Sequence, residues 1–302
     1  MDFGKLFNVN AVDFRLPSEP IQNAEVLASQ PASGRRTLYI GPTGYHMKPW
    51  LGKWYPPGAR EQDFLRHYAR QFNTIEFNTT YYRIPDPSTV RKWRSEVPDD
   101  FRFCPKIPQT ISHSRDLGLS GADSQIFFEA LKAFGESLGC SFLQLPPHFS
   151  PRELPILARF LENYAQLSPL SVEVRHPAFF EKTAAAEAYF QLLQQHQVSA
   201  VITDVAGRRD VCHLRLTNSS TLIRFVGNGL HPSDYTRVEE WAERLRHWFD
   251  QGLKEAYFFC HEPDNLLAPE LSAICAEVFA QAMPDLTLRG PKLVDGQQGL
   301  LF

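Results

Sequence analysis

Residues 141–204 read SFLQLPPHFSPRELPILARFLENYAQLSPLSVEVRHPAFFEKTAAAEAYFQLLQQHQVSAVITD. Three short apolar runs, SFLQL (141–145), LSVEV (170–174) and SAVITD (199–204), alternate with two longer stretches, 152–163 and 183–196, whose apolar residues recur at helical spacing. Runs of strand length separated by segments of helix length predict parallel strands joined by crossover helices. The same alternation extends in both directions. Upstream lie LYIG (38–41), TIEFN (74–78) and FRFC (101–104); downstream lie LIRFV (222–226) and AYFFC (256–260). Further helical patterns fall near 61–72, 87–96, 122–138, 233–250 and 268–282, several opened by Pro, Ser or Asp at the capping position.

Eight strands with their helices fit the roughly 250 residues of a (β/α)8 unit. The expected architecture is α/β: a single (β/α)8 TIM-type barrel domain over 37–289, an N-terminal extension over 1–36 that wraps the domain, and a flexible C-terminal tail over 290–302. A doubly wound open sheet is the alternative, but no G-x-G-x-x-G follows any strand. Two places are irregular. The segment after the sixth strand has no obvious helix, and RRDVCHLRLT (208–217) alternates like a strand, so that a hairpin with the seventh run would add or displace one.

Of the 302 residues, 43% are hydrophobic and 22% charged, the makeup of a soluble globular enzyme. A net charge of -3 gives no global pull toward nucleic acid or an anionic membrane. The five cysteines, Cys104, Cys140, Cys212, Cys260 and Cys275, are widely spaced and never form C-x-x-C, which argues against a disulfide framework or zinc knuckle and for a reducing compartment. The amino terminus, MDFGKLFNVNAVDFRLPSEP, carries no apolar run of signal-peptide length, and no later run approaches the roughly 18 apolar residues of a membrane helix. The expected location is cytoplasmic, with no membrane partner.

Period two sorts each strand into two rows of side chains. Glu76 and Asn78 share one face, as do Arg102, Cys104 and Lys106; Phe142 and Gln144; Ser171, Glu173 and Arg175; Ala200, Ile202 and Asp204; and Leu222 and Arg224. Six neighbouring strands thus carry polar groups in their carboxyl-terminal halves, the end at which (β/α)8 enzymes assemble active sites. Mutual neutralisation, of Glu173 by Arg175 or Arg224 and of Glu76 by Lys106, would be a purely structural explanation. Buried pairs roughly break even against apolar residues, so a ligand explains the row better. Glu76 and Glu173 are the candidate general acid or base, and Lys106 supplies a point charge or a nucleophilic amine. Arg175 and Arg224 offer planar forks for a carboxylate or phosphate.

Other groups surround this row. Gly227-Asn228-Gly229 follows strand seven, where many barrels hold a phosphate on backbone N–H groups. His113, His148, His176 and His261 follow strands three, four, five and eight, which leaves a divalent metal open without a specific ligand motif. Tyr45, Trp50, Trp54, Tyr55, Tyr81 and Tyr82 flank the first two strands, either as loop packing or as a wall for a flat ligand. No Walker loop, nucleophile elbow, EF-hand or H-E-x-x-H motif occurs.

At GPTGYHMKPWLGKWYPPGA (41–59), EFNTTYYRIPDPSTVRKW (76–93), FRFCPKIPQTISH (101–113), FLQLPPHF (142–149) and SVEVRHPAFF (171–180), the chain resembles the YecE-like family, domain of unknown function 72. The resemblance covers about residues 37–290, implies a (β/α)8-type barrel and supplies no established reaction. The residues matching the family pattern are Glu76, Asn78, Tyr81, Tyr82, Arg83, Lys106, His113, Gln144, Glu173, Arg175, His176, Asp204 and Arg224. Two departures stand out: Phe225-Val226-Gly227 where the family often has a histidine after the strand-seven arginine, and Cys260-His261 where it has an Asn pair.

The last residues, Gln298-Gly299-Leu300-Leu301-Phe302, resemble the short Gln-x-x-Leu-Phe peptides by which bacterial replication and repair proteins dock on the DNA sliding clamp. Gln298, Leu301 and Phe302 would make that contact, or else the apolar end folds back on the barrel. Three functions follow: an enzyme of hydrolase or isomerase/lyase type, acting on a small polar or anionic, sugar- or phosphate-bearing substrate by general acid/base chemistry; a nucleic-acid maintenance protein recruited to the clamp; and a non-catalytic ligand-binding barrel. For the first, Asn78, Tyr81, Tyr82, Gln144, Arg175, His176, Asp204, Arg224, Gly227, Asn228 and His261 are the expected substrate contacts around Glu76, Lys106 and Glu173.

Overall fold

Each of the eight apolar runs becomes a strand. The computed structural model describes residues 3–29 and 36–294, so the C-terminal peptide 298–302 lies outside the described residues. The strands are β1 (Thr37–Pro42), β2 (Thr74–Phe77), β3 (Arg102–Pro105), β4 (Ser141–Gln144), β5 (Leu170–Glu173), β6 (Ser199–Asp204), β7 (Ser220–Val226) and β8 (Glu255–His261). The α-helices are α1 (Gln22–Ala28), α2 (Phe64–Gln71), α3 (Thr79–Tyr82), α4 (Pro87–Ser95), α5 (Gln109–Ser112), α6 (Asp123–Leu131), α7 (Leu154–Tyr164), α8 (Ala184–Gln195), α9 (Pro232–Gln251) and α10 (Ala268–Ala282). Cap chemistry sets several starts. Asp86 accepts the Thr89 N–H at 2.9 Å ahead of Pro87, Thr183 accepts the Ala186 N–H at 3.2 Å, and Ser150 and Glu153 form a capping box.

All ladders are parallel. Six strands form a curled sheet in the order β1-β8-β7-β6-β5-β4, and β2 pairs with β3 in a second sheet. The expected uninterrupted eight-strand ladder is therefore broken at two seams. Between β1 and β2 the Asn73 side chain takes the place of backbone pairing, accepting the Ile40 N–H at 2.9 Å and donating to the Leu38 carbonyl at 3.2 Å. Between β3 and β4 an isolated bridge joins Lys106 to Phe142, and the Ile107 N–H donates to the Phe142 carbonyl at 2.9 Å. The first seam is so tight that a Cβ on Gly41 would lie 2.2 Å from the Thr74 carbonyl oxygen. Gly41→Ala is expected to destabilise the chain by about 1–3 kcal/mol through overpacking; an unchanged midpoint in urea would show that the seam yields.

Below the polar row, Tyr39, Cys104, Phe142, Val201, Leu222, Tyr257 and Phe259 form an inner apolar cluster, with Tyr39 and Tyr257 stacked at 4.8 Å. Outside the sheet, Trp241, Leu245 and Trp248 of α9 and Leu271, Cys275 and Phe279 of α10 bury against Ile40, Ile202, Ile223, Phe225 and Phe258. Each such fully buried apolar side chain contributes about 1.5–3 kcal/mol. The absence of a helix after β6 is as expected: Arg209–Val211 makes one short turn.

The anticipated strand at 208–217 does not form. Its backbone groups are taken by side chains instead: Asn23 accepts the Leu216 N–H at 2.9 Å and donates to the Leu214 carbonyl at 2.8 Å. Asn23 belongs to α1, a helix that the aperiodic extension did not announce, and Val26 and Leu27 of the same helix join the outer core. At the other end, residues 290–294 are fixed to the domain, with the Lys292 N–H on Gln71 at 2.7 Å and the Val294 N–H on the Lys53 carbonyl at 3.0 Å. Among the described residues no helix is long and apolar enough to cross a membrane.

Candidate functional site at the carboxyl ends of the strands

Strand register brings the inward polar residues together in one buried group. Arg224 of β7 grips Glu76 of β2 with two bonds, Nε to Oε2 at 2.8 Å and Nη2 to Oε1 at 2.9 Å, and reaches Glu173 of β5 from Nη1 at 2.7 Å. Arg175 donates to Glu173 at 2.8 Å and to Gln144 at 2.8 Å. Gln144 also accepts from Lys106 at 3.3 Å, and the Lys106 ammonium lies 4.1 Å over the Tyr81 ring. His261 Nε2 is 3.0 Å from Glu76 Oε2, and Asn78 donates to Glu76 Oε1 at 3.1 Å. Nine of the expected residues, Glu76, Asn78, Tyr81, Lys106, Gln144, Glu173, Arg175, Arg224 and His261, thus meet in one place.

The electrostatics reassign their roles. Burial alone would push Glu76 up, but Arg224 and His261 hold its carboxyl well below the usual range. Glu173 is likewise driven up by burial and held low overall by Arg175 and Arg224. Both are carboxylates at neutral pH, so neither is the expected general acid, and carboxylates this well paired are poor bases. Burial, and then the charge of Arg224, push Lys106 down to about 8. Lys106 forms no ion pair among the described residues, and the anticipated Glu76–Lys106 neutralisation gives way to Glu76–Arg224. Burial also lowers His261, against the pull of Glu76. With His261 neutral, the cluster among the described residues brings three cations, Lys106, Arg175 and Arg224, around two carboxylates.

Several expected residues lie elsewhere. Asp204 points out of the sheet toward α9, where it accepts from Trp241 Nε1 at 2.8 Å and pairs with Arg237 and Arg209. It shares its face with Ile202, which packs in the outer core, so the inward residues of β6 are Val201 and Thr203. His176 caps the turn Pro177–Phe179 by accepting the Ala178 N–H at 3.2 Å. The loop N–H groups expected to cradle a phosphate are already occupied: Gly227 donates to the His261 carbonyl, Asn228 to Asp234 and Gly229 to Glu262, each at 2.8 Å. Trp50, Trp54 and Tyr55 are core residues, whereas Tyr45 and Tyr82 line a cavity of ≈ 480 Å³ together with Glu76 and Asn78. Among the described residues no three His, Cys, Asp or Glu side chains come together to hold a metal ion.

Reasoning from sequence missed two neighbours of the site. Phe3 of the extension lies 4.3 Å from the Arg175 guanidinium, and Gly4 accepts the Gly207 N–H at 2.8 Å, so the extension reaches the site's rim. Glu262, one residue beyond β8, is buried beside His261. Ending strand eight at Cys260 hid it, although continuing the alternation Tyr257, Phe259, His261 would have brought the end of the strand into view.

Fold and site together define a parallel α/β protein of strand-helix repeats, with a charged cluster at the carboxyl ends of its curled sheet. The chain belongs to the DUF72 family, described as "Protein of unknown function DUF72", whose model matches residues 39–293. It is 35% identical over 268 residues to the UPF0759 protein YecE of Escherichia coli K12, covering 82% of this chain and 95% of that protein. YecE of Escherichia coli O157:H7 gives the same values. A crystal structure of a DUF72 family protein from Enterococcus faecalis v583 superimposes with a TM-score of 0.65 at 20% identity, over 86% of this chain and all of that one (100%). A second crystal structure of that protein gives 0.63 at 19%, over 83% and 98%. These two likenesses concern the fold alone.

Proposed function

We propose that the chain is an enzyme whose charged cluster binds a small anionic substrate at the mouth of a (β/α)8-type barrel, closed at its two seams by Asn73 and by the Lys106–Phe142 bridge. The domain begins at 37, and the described part of the extension, residues 3–29, packs against it. One observation carries the reading: Lys106, its amine brought down to about 8 and without an ion pair among the described residues, stands next to two arginine forks. In this reading Arg175 anchors the anionic group, Glu76 and Glu173 hold Arg224 and Arg175 in place, and Lys106 transfers the proton. A desolvated amine of this kind also suits carbanion-type isomerase or lyase chemistry on a carbonyl substrate. The five buried free thiols support a reducing, cytoplasmic location.

The test is a calorimetric titration with small keto- and hydroxy-carboxylates, which stay ionised across the range. A bound anion favours protonated Lys106, so affinity is expected to be full below pH 8 and to fall as pH rises through about 8. Lys106→Gln should bind about tenfold more weakly and lose that pH dependence. Equal affinity in both proteins, flat with pH, would remove Lys106 from the site. Binding of substrates without turnover in any of them would favour a non-catalytic ligand-binding barrel.

A second reading rests on the C-terminal peptide Gln298-Gly299-Leu300-Leu301-Phe302. It makes the protein a nucleic-acid maintenance factor that docks on the DNA sliding clamp through Gln298, Leu301 and Phe302. The chain should then bind purified bacterial clamp, and replacing both Leu301 and Phe302 by alanine should abolish binding. Equal retention of the two proteins on clamp-coated resin would dispose of it.

A further inference from the structure

Beside the charged mouth lies a separate cavity of ≈ 420 Å³, with residues 4–10 of the extension on one side and Val205, Val226, Asn228, His261 and Glu262 on the other. Its size is that of a small-molecule site. His261 belongs to both places, since it also contacts Glu76 in the mouth. With Glu76 ionised, His261 Nε2 is assigned as the proton donor to it, which leaves Nδ1 as an acceptor.

Glu262 is the unusual member. Its Oε2 accepts the Gly229 N–H at 2.8 Å, but its Oε1 is buried and has no hydrogen-bond partner. The carboxyl group fits there only because residue 227 is glycine: a Cβ at Gly227 would stand 2.4 Å from Oε1. Burial pushes Glu262 up to about 7 against the pull of the Gly229 N–H, and the negative charge of Asp234 adds to the rise. A buried oxygen without a partner is costly, and a turn of the Glu262 side chain that brings Oε1 from its place against Gly227 into the cavity lets a ligand supply the missing hydrogen. Val9, Val205 and Val226 in its lining suit a short aliphatic spacer.

We propose that this cavity is a second subsite, which takes the hydrogen-bond-donating end, an ammonium or hydroxyl group, of a substrate whose anionic end occupies the mouth. It rests on the reading of the mouth as an anion site. The substrate is then bifunctional, a short amino- or hydroxy-carboxylate, and His261 is the partition between its two ends.

The probes are ω-amino carboxylates from β-alanine upward, the matching ω-hydroxy acids and the unsubstituted fatty acids, titrated against full-length protein carrying 13C at its glutamate carboxyl carbons. The Glu262 resonance is assigned by its loss in Glu262→Gln. An amino or hydroxy acid of fitting length should move the Glu262 resonance and bind about tenfold more tightly than its unsubstituted counterpart. Glu262→Gln should abolish that advantage and leave fatty-acid affinity unchanged. If every probe perturbs Glu76 and Glu173 but none moves Glu262, the subsite is refuted and the mouth survives. If no probe perturbs any of the three, the mouth reading fails and the subsite fails with it.

Discussion

Arg224→Met is expected to destabilise the folded chain by about 3–5 kcal/mol, because it leaves two buried carboxylates short of their shared cation. Among the described residues Glu76, fully buried, would keep its bonds to His261 and Asn78, and Glu173 its bond to Arg175 with the charge of Lys106 nearby. The effect measures the broken network and not the worth of the intact one, since a wholly apolar replacement is often neutral. Its pH dependence has a definite sign. In the native chain both glutamates titrate below 4.5, so their contribution to stability is present above that value and is lost as pH falls through their lowered range. Without Arg224 the burial effect is less opposed, their titration moves up, and the variant suffers most at neutral pH. The gap between variant and wild type should therefore narrow as pH drops below 4.5. Urea unfolding at neutral and acid pH checks both points. A variant within about 1 kcal/mol of wild type at neutral pH would mean that water already solvates the mouth and that the cluster is not a desolvated one.

The legible part of this site is the part that period two and strand order determine together. Lys106, Gln144 and Arg224 stand inward because each lies two residues beyond Cys104, Phe142 or Leu222, which pack inside, and Glu76 and Glu173 because Thr74 and Ser171, two residues before them, contact Cys104 and Cys140. In β6 both rows mix polar and apolar residues, Ser199, Val201 and Thr203 on one face and Ala200, Ile202 and Asp204 on the other, so alternation does not choose between them. Register chooses: Thr203 pairs with inward Arg224, and Asp204 pairs with outward Phe225. The seam between β1 and β2 was hidden for a related reason. It depends on a single side-chain amide, Asn73, standing in for a ladder, and no periodic pattern encodes that. Ionisation of the glutamates is likewise not written in the alternation. Two glutamates and a lysine look like an acid/base set until Arg224 is found holding both carboxylates ionised.

Asp204→Asn supplies the sharpest test of that inversion, with an expected loss of about 3–5 kcal/mol of stability and no loss of carboxylate binding in the mouth. Asp204 is fully buried, and its two oxygens serve Arg237 at 3.0 and 3.2 Å, Trp241 at 2.8 Å, and Arg209. Arg237 is itself buried between the rings of Phe14 and Phe225 and has Asp234 as its other carboxylate, at 3.1 Å. An asparagine keeps the shape and the Trp241 bond, but it removes the charge that compensates a buried guanidinium, and a buried charge left short of its partner is among the costliest single defects a core can carry. The same network fixes the extension, because Arg209 also donates to the Phe14 carbonyl at 2.9 Å. Arg175→Ala is the counterpart: Glu173 keeps Arg224, so the variant should lose less stability than Asp204→Asn, about 1–2 kcal/mol, and lose carboxylate affinity. Measured side by side, the two variants separate the roles, most stability lost with binding kept against binding lost with most stability kept. An Asp204→Asn protein that unfolds like wild type yet no longer binds carboxylates would return Asp204 to the substrate site and overturn the inward assignment of Thr203.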